Sequence, residues 1–226
     1  MSERVRFVDR VDAGRQLATA LKKVRLQAPA VYALPRGGVP VAAEVAAALD
    51  APLDLVLVRK IGAPGQPELA VGAIVDGDEP EILINEDIAA ATGANGAYLG
   101  SVQERELHEI ERRRALYLGR RAPVHPLGRD AIVVEDGVAT GASMLAALRS
   151  LKHRGARRVI AATPLAPPET VTRLEAEADL VVCLAQPEWF PGIAAFYEDF
   201  HQLEDREVME LLKQHAEQAE KTRSVA

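Results

Sequence analysis

AIVVEDGVATGAS, residues 131–143, passes from an apolar run to two acids to a loop of small residues. Ala131, Ile132, Val133 and Val134 read as a buried parallel strand. Glu135 and Asp136 follow it directly. Gly137 to Ser143 form a short loop, after which Met144, Leu145, Leu148 and Leu151 share one face of a helix. In open α/β sheets, ligands bind beyond the carboxyl ends of the strands, where this loop lies. Backbone N–H groups at a helix start favour a phosphate, and Gly141 lets the backbone approach it closely. Thr140 and Ser143 add hydroxyl donors. The two carboxylates are suited to accept hydrogen bonds from sugar hydroxyls. A phosphate cup beside a diol acceptor describes a ribose 5-phosphate site.

Working outward, the pattern repeats. Ala30 to Leu34 is a strand candidate, Pro35-Arg36-Gly37-Gly38 a turn, and Val39 to Leu49 a helix. Gly37 and Gly38 can adopt backbone angles closed to other residues and present N–H groups to an anion. Arg36 can hold two phosphate oxygens at once. A plain turn is the alternative for PRGG taken alone. Leu53 to Val58 is a third strand candidate, running into Arg59-Lys60. Leu69 to Val75 and Glu81 to Ile84 suit a hairpin around Gly77-Asp78. Arg158 to Leu165 and Leu180 to Leu184 complete five core strands, with Pro167-Pro168 opening the intervening helix. Asp12 to Val24 forms an amphipathic helix that packs on the sheet. Helical crossovers between the strands predict an α/β fold with a doubly wound parallel sheet. Loops 35–38, 59–62 and 135–143 then meet at one sheet edge, which argues for a single site.

VVEDGVATGAS resembles the phosphoribosyl pyrophosphate (PRPP) signature of type I phosphoribosyltransferases: an apolar strand, two acids, three spacers, then Thr-Gly-x-Thr/Ser. The resemblance implies that Ala139, Thr140, Gly141, Ala142 and Ser143 hold the 5-phosphate. It implies that Glu135 and Asp136 fix the ribose hydroxyls, directly or through metal-bound water. PRGG falls where the family places its pyrophosphate loop, often with an unusual cis peptide, so Arg36, Gly37 and Gly38 would bind the leaving group. VRKIG at 58–62 looks like a segment of adenine-type members, and Lys60 would join them there; a solvated lysine is the alternative. Mg²⁺ is the implied cofactor, held through PRPP rather than by a dedicated set of ligands. Glu135, Asp136 and Arg36 are thus the candidate catalytic residues. Loss of both acids is expected to weaken PRPP binding while leaving the thermal midpoint nearly unchanged.

QPEWFPGIAAFYEDF, residues 186–200, gathers the single Trp and three of the four Phe. The resemblance puts the nucleobase here, so Trp189 and Phe190 are stacking candidates; a hydrophobic lid or a dimer contact is the alternative. WFPGIAAFYEDF is also similar to the tail of a bacterial subfamily of phosphoribosyltransferases, a likeness covering about residues 5–212. Hypoxanthine–guanine members carry an aspartate where this chain has Ala139, which cannot move a proton at the base. Adenine-type members also have alanine there.

One domain accounts for all 226 residues, with a core to about 185, then a small hood and a C-terminal helix to about 216. Residues 217–226 read as a polar frayed tail. Ala97 to Leu118 is a heavily charged helix, with a solvated face or a dimer contact as its roles. A homodimer is the expected assembly. The net charge of −6 disfavours general nucleic-acid binding. The charged N-terminus, MSERVRFVDR, lacks an apolar signal core, and no segment is apolar enough to span a membrane, so a cytoplasmic location is expected. The five histidines form no spaced ligand set, and Cys183 lies in an apolar run as core. The expected activity is Mg²⁺-dependent transfer of a phosphoribosyl group from PRPP to a small acceptor, a nucleobase or related nitrogen nucleophile. A regulator that binds PRPP or a nucleotide without turnover is the alternative from another class.

Overall fold

The computed structural model describes residues 6–77, 80–119 and 121–225, with side chains of the last helix followed to residue 218. Five strands form a parallel sheet in the order β2-β1-β6-β7-β8: β1 (Ala30–Ala33), β2 (Leu53–Leu55), β6 (Asp130–Val134), β7 (Arg158–Leu165) and β8 (Leu180–Ala185). Alternate residues feed opposite layers. Val31, Ile132, Val134 and Ile160 pack into one, while Tyr32, Ala131, Val133 and Val159 pack into the other. Burial on both faces is why the central strands β1, β6 and β7 read as apolar runs.

Helices α1 (Arg10–Leu21), α2 (Gly38–Leu49) and α7 (Asp205–Val225) cover the first face. Helices α5 (Ala142–His153) and α6 (Pro168–Glu175) cover the second. The chain therefore leaves β1 toward one face and β6 toward the other. Adjacent strands whose connections diverge open a crevice at their carboxyl ends. PRGG and the acidic pair occupy the two lips of that crevice.

A second, antiparallel sheet was only half foreseen. It runs β3 (Val58–Ala63), β4 (Gln66–Val75), β5 (Glu81–Ile84). The expected 69–75 and 81–84 pairing is present, although Asp78 of the expected turn lies outside the described residues. The expected single strand from Leu53 to Val58 is divided: its first half stays in the main sheet and its end starts the second. Asp76 is the cause. Its carboxylate accepts the Leu57 N–H at 2.8 Å and its own N–H donates to the Leu57 carbonyl at 2.9 Å. That clamp turns the chain so that Val58 pairs with Val75. Helix α4 (Gly96–Leu118) secures the clamp by an ion pair from Arg114 to the buried Asp76.

Two more expectations change. The face of α4 is not wholly solvated, since Glu106 is buried and paired with Arg59 at 2.7 Å and with Arg105 at 3.0 Å. The C-terminal tail is helical, as α7 continues to Val225. Residues 204–225 hold no Gly or Pro to stop it and are rich in Glu, Lys, Gln and Ala. Among the described residues, no helix is long and apolar enough to cross a membrane.

Candidate active site at the β1–β6 crevice

The PRGG loop follows β1. Its Pro35–Arg36 peptide bond is cis. The glycines are needed for space rather than for backbone angles, which corrects the sequence reading. Gly37 has φ −58° and ψ −36°, and Gly38 is not in the left-handed region either. A Cβ on Gly37 would lie 2.1 Å from Asp136 Oδ2, and one on Gly38 would lie 2.5 Å from the Val134 carbonyl. The loop is thus pressed onto the end of β6. The Gly38 N–H donates to the Leu34 carbonyl at 3.0 Å and so is already paired. Arg36 is part-exposed and lies 3.8 Å from Asp205 at the start of α7, a distance that holds its guanidinium only loosely.

Together these elements make a cleft of about 460 Å³ lined by Leu34 to Gly38, Glu135, Asp136, Arg10 and residues 200–203. Its two carboxylates differ. Glu135 is half-buried, and no described residue donates a hydrogen bond to its carboxylate. Burial, with the Asp136 charge beside it, pushes Glu135 up to about 8, against the pull of the Lys60 ammonium. Lys60 is exposed on β3, so the second sheet brings it within electrostatic reach of Glu135. Asp136 is buried at 7% exposure, and its Oδ2 accepts from Arg10 Nε at 2.7 Å. Burial raises the Asp136 pKa and the Arg10 guanidinium opposes the rise.

The remaining loop, 139–143, lies beyond the cleft lining on the same strand end. Ala139, Thr140 and Ala142 are exposed and Ser143 half-buried. Gly141, at φ 77°, caps α5 in the left-handed conformation that its lack of a side chain permits. No side chain caps the helix, so its first N–H groups point outward unpaired by any cap. Thr170 of α6 holds the loop from below through a 2.6 Å hydrogen bond to the Ala139 carbonyl. The geometry suits an anion reached through backbone donors.

Trp189 and Phe190 are not among the cleft-lining residues. Trp189 is 73% exposed, and Phe190 stacks on Phe196 at 5.6 Å. The hood meets the site through Ile193, which packs on Gly137, and through Phe200 to Leu203.

Arg10 and Tyr197 are site residues that sequence reasoning missed. The Tyr197 hydroxyl donates to the Asp136 carbonyl at 2.5 Å. Residues 7–8 pair with 196–199, joining the N-terminal segment to the hood. One signal was available for Arg10. A cation at the first position of a helix opposes the helix dipole, so its presence there calls for a buried acid nearby.

Comparison with known proteins gives the family. The family profile described as "Phosphoribosyl transferase domain" matches residues 9–201. Two Mycobacterium tuberculosis proteins, from strains CDC 1551 and H37Rv, are each named "Putative phosphoribosyl transferase". Both are 44% identical over 206 residues, covering 91% of this chain and 46% of theirs. The chain thus spans about half the length of these curated relatives. The crystal structure of TT1426 from Thermus thermophilus has a TM-score of 0.81 at 45% identity, covering 92% of this chain and 98% of that one. With 193 residues inside the profile and the crevice built as that fold requires, the chain belongs to the phosphoribosyl transferase domain family.

Proposed function

We propose that this chain transfers a 5-phosphoribosyl group from PRPP to a nitrogen nucleophile, a nucleobase, with release of pyrophosphate. The carrying observation is the packing of the PRGG loop against the acidic pair in one cleft, with Gly37 against Asp136. In this reading the bond from ribose C1 to the pyrophosphate oxygen breaks, positive charge builds on the ring, and the acceptor nitrogen takes its place. Little covalent chemistry is asked of the protein; positioning and charge do the work. The backbone at 141–143 takes the 5-phosphate. Glu135 accepts from the ribose hydroxyls. Arg36, Gly37 and Lys60 hold the leaving group, with Arg36 swinging from its loose contact with Asp205.

A magnesium ion fits this donor set. Glu135 offers a hard oxygen at the cleft that no described donor occupies, and such an ion would otherwise be ligated by substrate oxygens and water. When bound there, it would supply positive charge opposite the pyrophosphate oxygens. Ala139 excludes a side-chain proton route at the base from that position, which favours an adenine-type acceptor over hypoxanthine or guanine.

Pyrophosphate release from PRPP and Mg²⁺, measured with adenine, guanine, hypoxanthine, uracil and orotate in turn, tests the reading. Turnover with one base is expected. PRPP binding without turnover on any base would support the regulatory alternative. Arg36→Ala locates the leaving group: its loss is expected to weaken pyrophosphate and PRPP binding far more than binding of a nucleoside 5′-monophosphate.

A further inference from the structure

Glu135 and Asp136 stand side by side in sequence but are not equally available to a ligand. Arg10, only 8% exposed, places its guanidinium between Asp136 and the hood. Its Nε donates to Asp136 Oδ2 at 2.7 Å, its Nη1 donates to the His201 carbonyl at 2.9 Å, and its Cζ lies 3.8 Å above the Phe200 ring. A buried guanidinium must be paired, and here one carboxylate, one carbonyl and one aromatic face satisfy it. Asp136 is gripped from its other sides as well. Tyr197 donates to its carbonyl and Gly37 lies against both of its carboxylate oxygens. A sugar hydroxyl reaching Asp136 Oδ2 would compete there with Arg10, and both carboxylate oxygens are crowded by Gly37. Glu135 has no such competitor among the described residues.

We propose that Arg10 is a positioning residue that reserves Asp136 as an internal strut between β6, α1 and the hood, leaving Glu135 as the carboxylate that contacts the ribose. This division rests on the PRPP-binding reading above. It also makes the hood part of the site's support, because the group that fixes Asp136 fixes residues 200–201.

The test compares Glu135→Gln, Asp136→Asn, Arg10→Ala, Arg10→Lys and the double variant Arg10→Ala/Asp136→Asn. Two quantities are read: PRPP affinity with Mg²⁺ by calorimetry, and amide hydrogen exchange at residues 196–203 without ligand. Above about pH 8, where Glu135 is ionised, Glu135→Gln should weaken PRPP binding at least about tenfold, the loss of a charged hydrogen bond, with hood exchange unchanged. Asp136→Asn should cost less affinity and speed hood exchange. Arg10→Ala should speed that exchange too, and the double variant should add little to the larger single effect, since coupled partners are non-additive. Arg10→Lys keeps a charge without the fork and should fall between, which covers the case in which Arg10→Ala does not fold. Asp136→Asn losing as much affinity as Glu135→Gln, with the hood unaltered, would overturn the proposal. Additive exchange effects would overturn it equally. Should the unaltered protein bind no PRPP, the functional reading falls, and the exchange measurements still decide whether Arg10 and Asp136 form a strut.

Discussion

The acidic pair and loop 139–143 are a few residues apart, yet they are held by opposite means. Loop 139–143 is largely exposed and needs little: a left-handed glycine, a helix start, and one hydrogen bond from Thr170. Asp136 is buried and needs residues from α1, the PRGG loop and the hood, drawn from positions 10, 37 and 197. A function performed by backbone N–H groups is encoded locally. A function performed by a buried charge is spread over the chain, because the charge must be paired wherever the fold puts it.

The sharpest way to break this contrast is to remove Asp136. Asp136→Ala leaves Arg10 buried without its partner, at a cost of about 3 kcal/mol. For a chain of this size that should lower the thermal midpoint by roughly 6–12 °C. The expectation that loss of the acidic pair would leave the midpoint nearly unchanged therefore does not extend to Asp136. Differential scanning calorimetry of the two single variants checks this, and equal midpoints would show that Asp136 is not structural.

Next in size is a pair of glycine substitutions. Gly37→Ala forces a methyl against the Asp136 carboxylate and should destabilise by about 1–3 kcal/mol through overpacking. Gly141→Ala meets Thr170 at 3.3 Å and also takes a left-handed backbone, costing about 1 kcal/mol. The two should separate by ligand. Gly141→Ala weakens nucleoside 5′-monophosphate binding, whereas Gly37→Ala weakens pyrophosphate binding. Identical ligand profiles would mean that the two loops are not distinct subsites.

A further effect, graded by pH, comes from Glu135. The folded protein raises Glu135 from 4.5 to about 8, so between these values the folded state holds a proton that the unfolded chain has released. Stability contributed by this group thus falls as pH rises through that window. Glu135→Gln removes the slope. Its thermal midpoint relative to the unaltered protein should be similar near pH 5 and should gain as pH approaches 9. A difference independent of pH would show that Glu135 titrates normally.

The smallest effect is expected at Trp189. An exposed side chain away from the core contributes within about 0.5 kcal/mol, so Trp189→Leu should leave the midpoint almost unaltered. As the single tryptophan, it still reports on its surroundings. A change in its emission when a base binds beside Mg²⁺ and pyrophosphate would bring it into the acceptor site despite its distance from the cleft lining.

Much of this molecule was legible from sequence alone. The central strands of the parallel sheet stood out because burial on both faces makes them apolar runs, as in Ala131 to Val134 and Val159 to Ala162. The loop before α5 stood out because Gly141 and the helix after it are contiguous. Other features were decided only in three dimensions. The exit of the chain from the main sheet at Leu57 depends on Asp76, nineteen residues later, and on Arg114 beyond that. The need for Gly37 is set by Asp136, which no local backbone preference reveals. Arg10 became a site residue because the hood, almost two hundred residues away, folds back to place His201 and Phe200 around it. Local preference and periodicity act over a few residues, whereas the pairing of a buried charge is chosen by whichever segments the fold brings into contact.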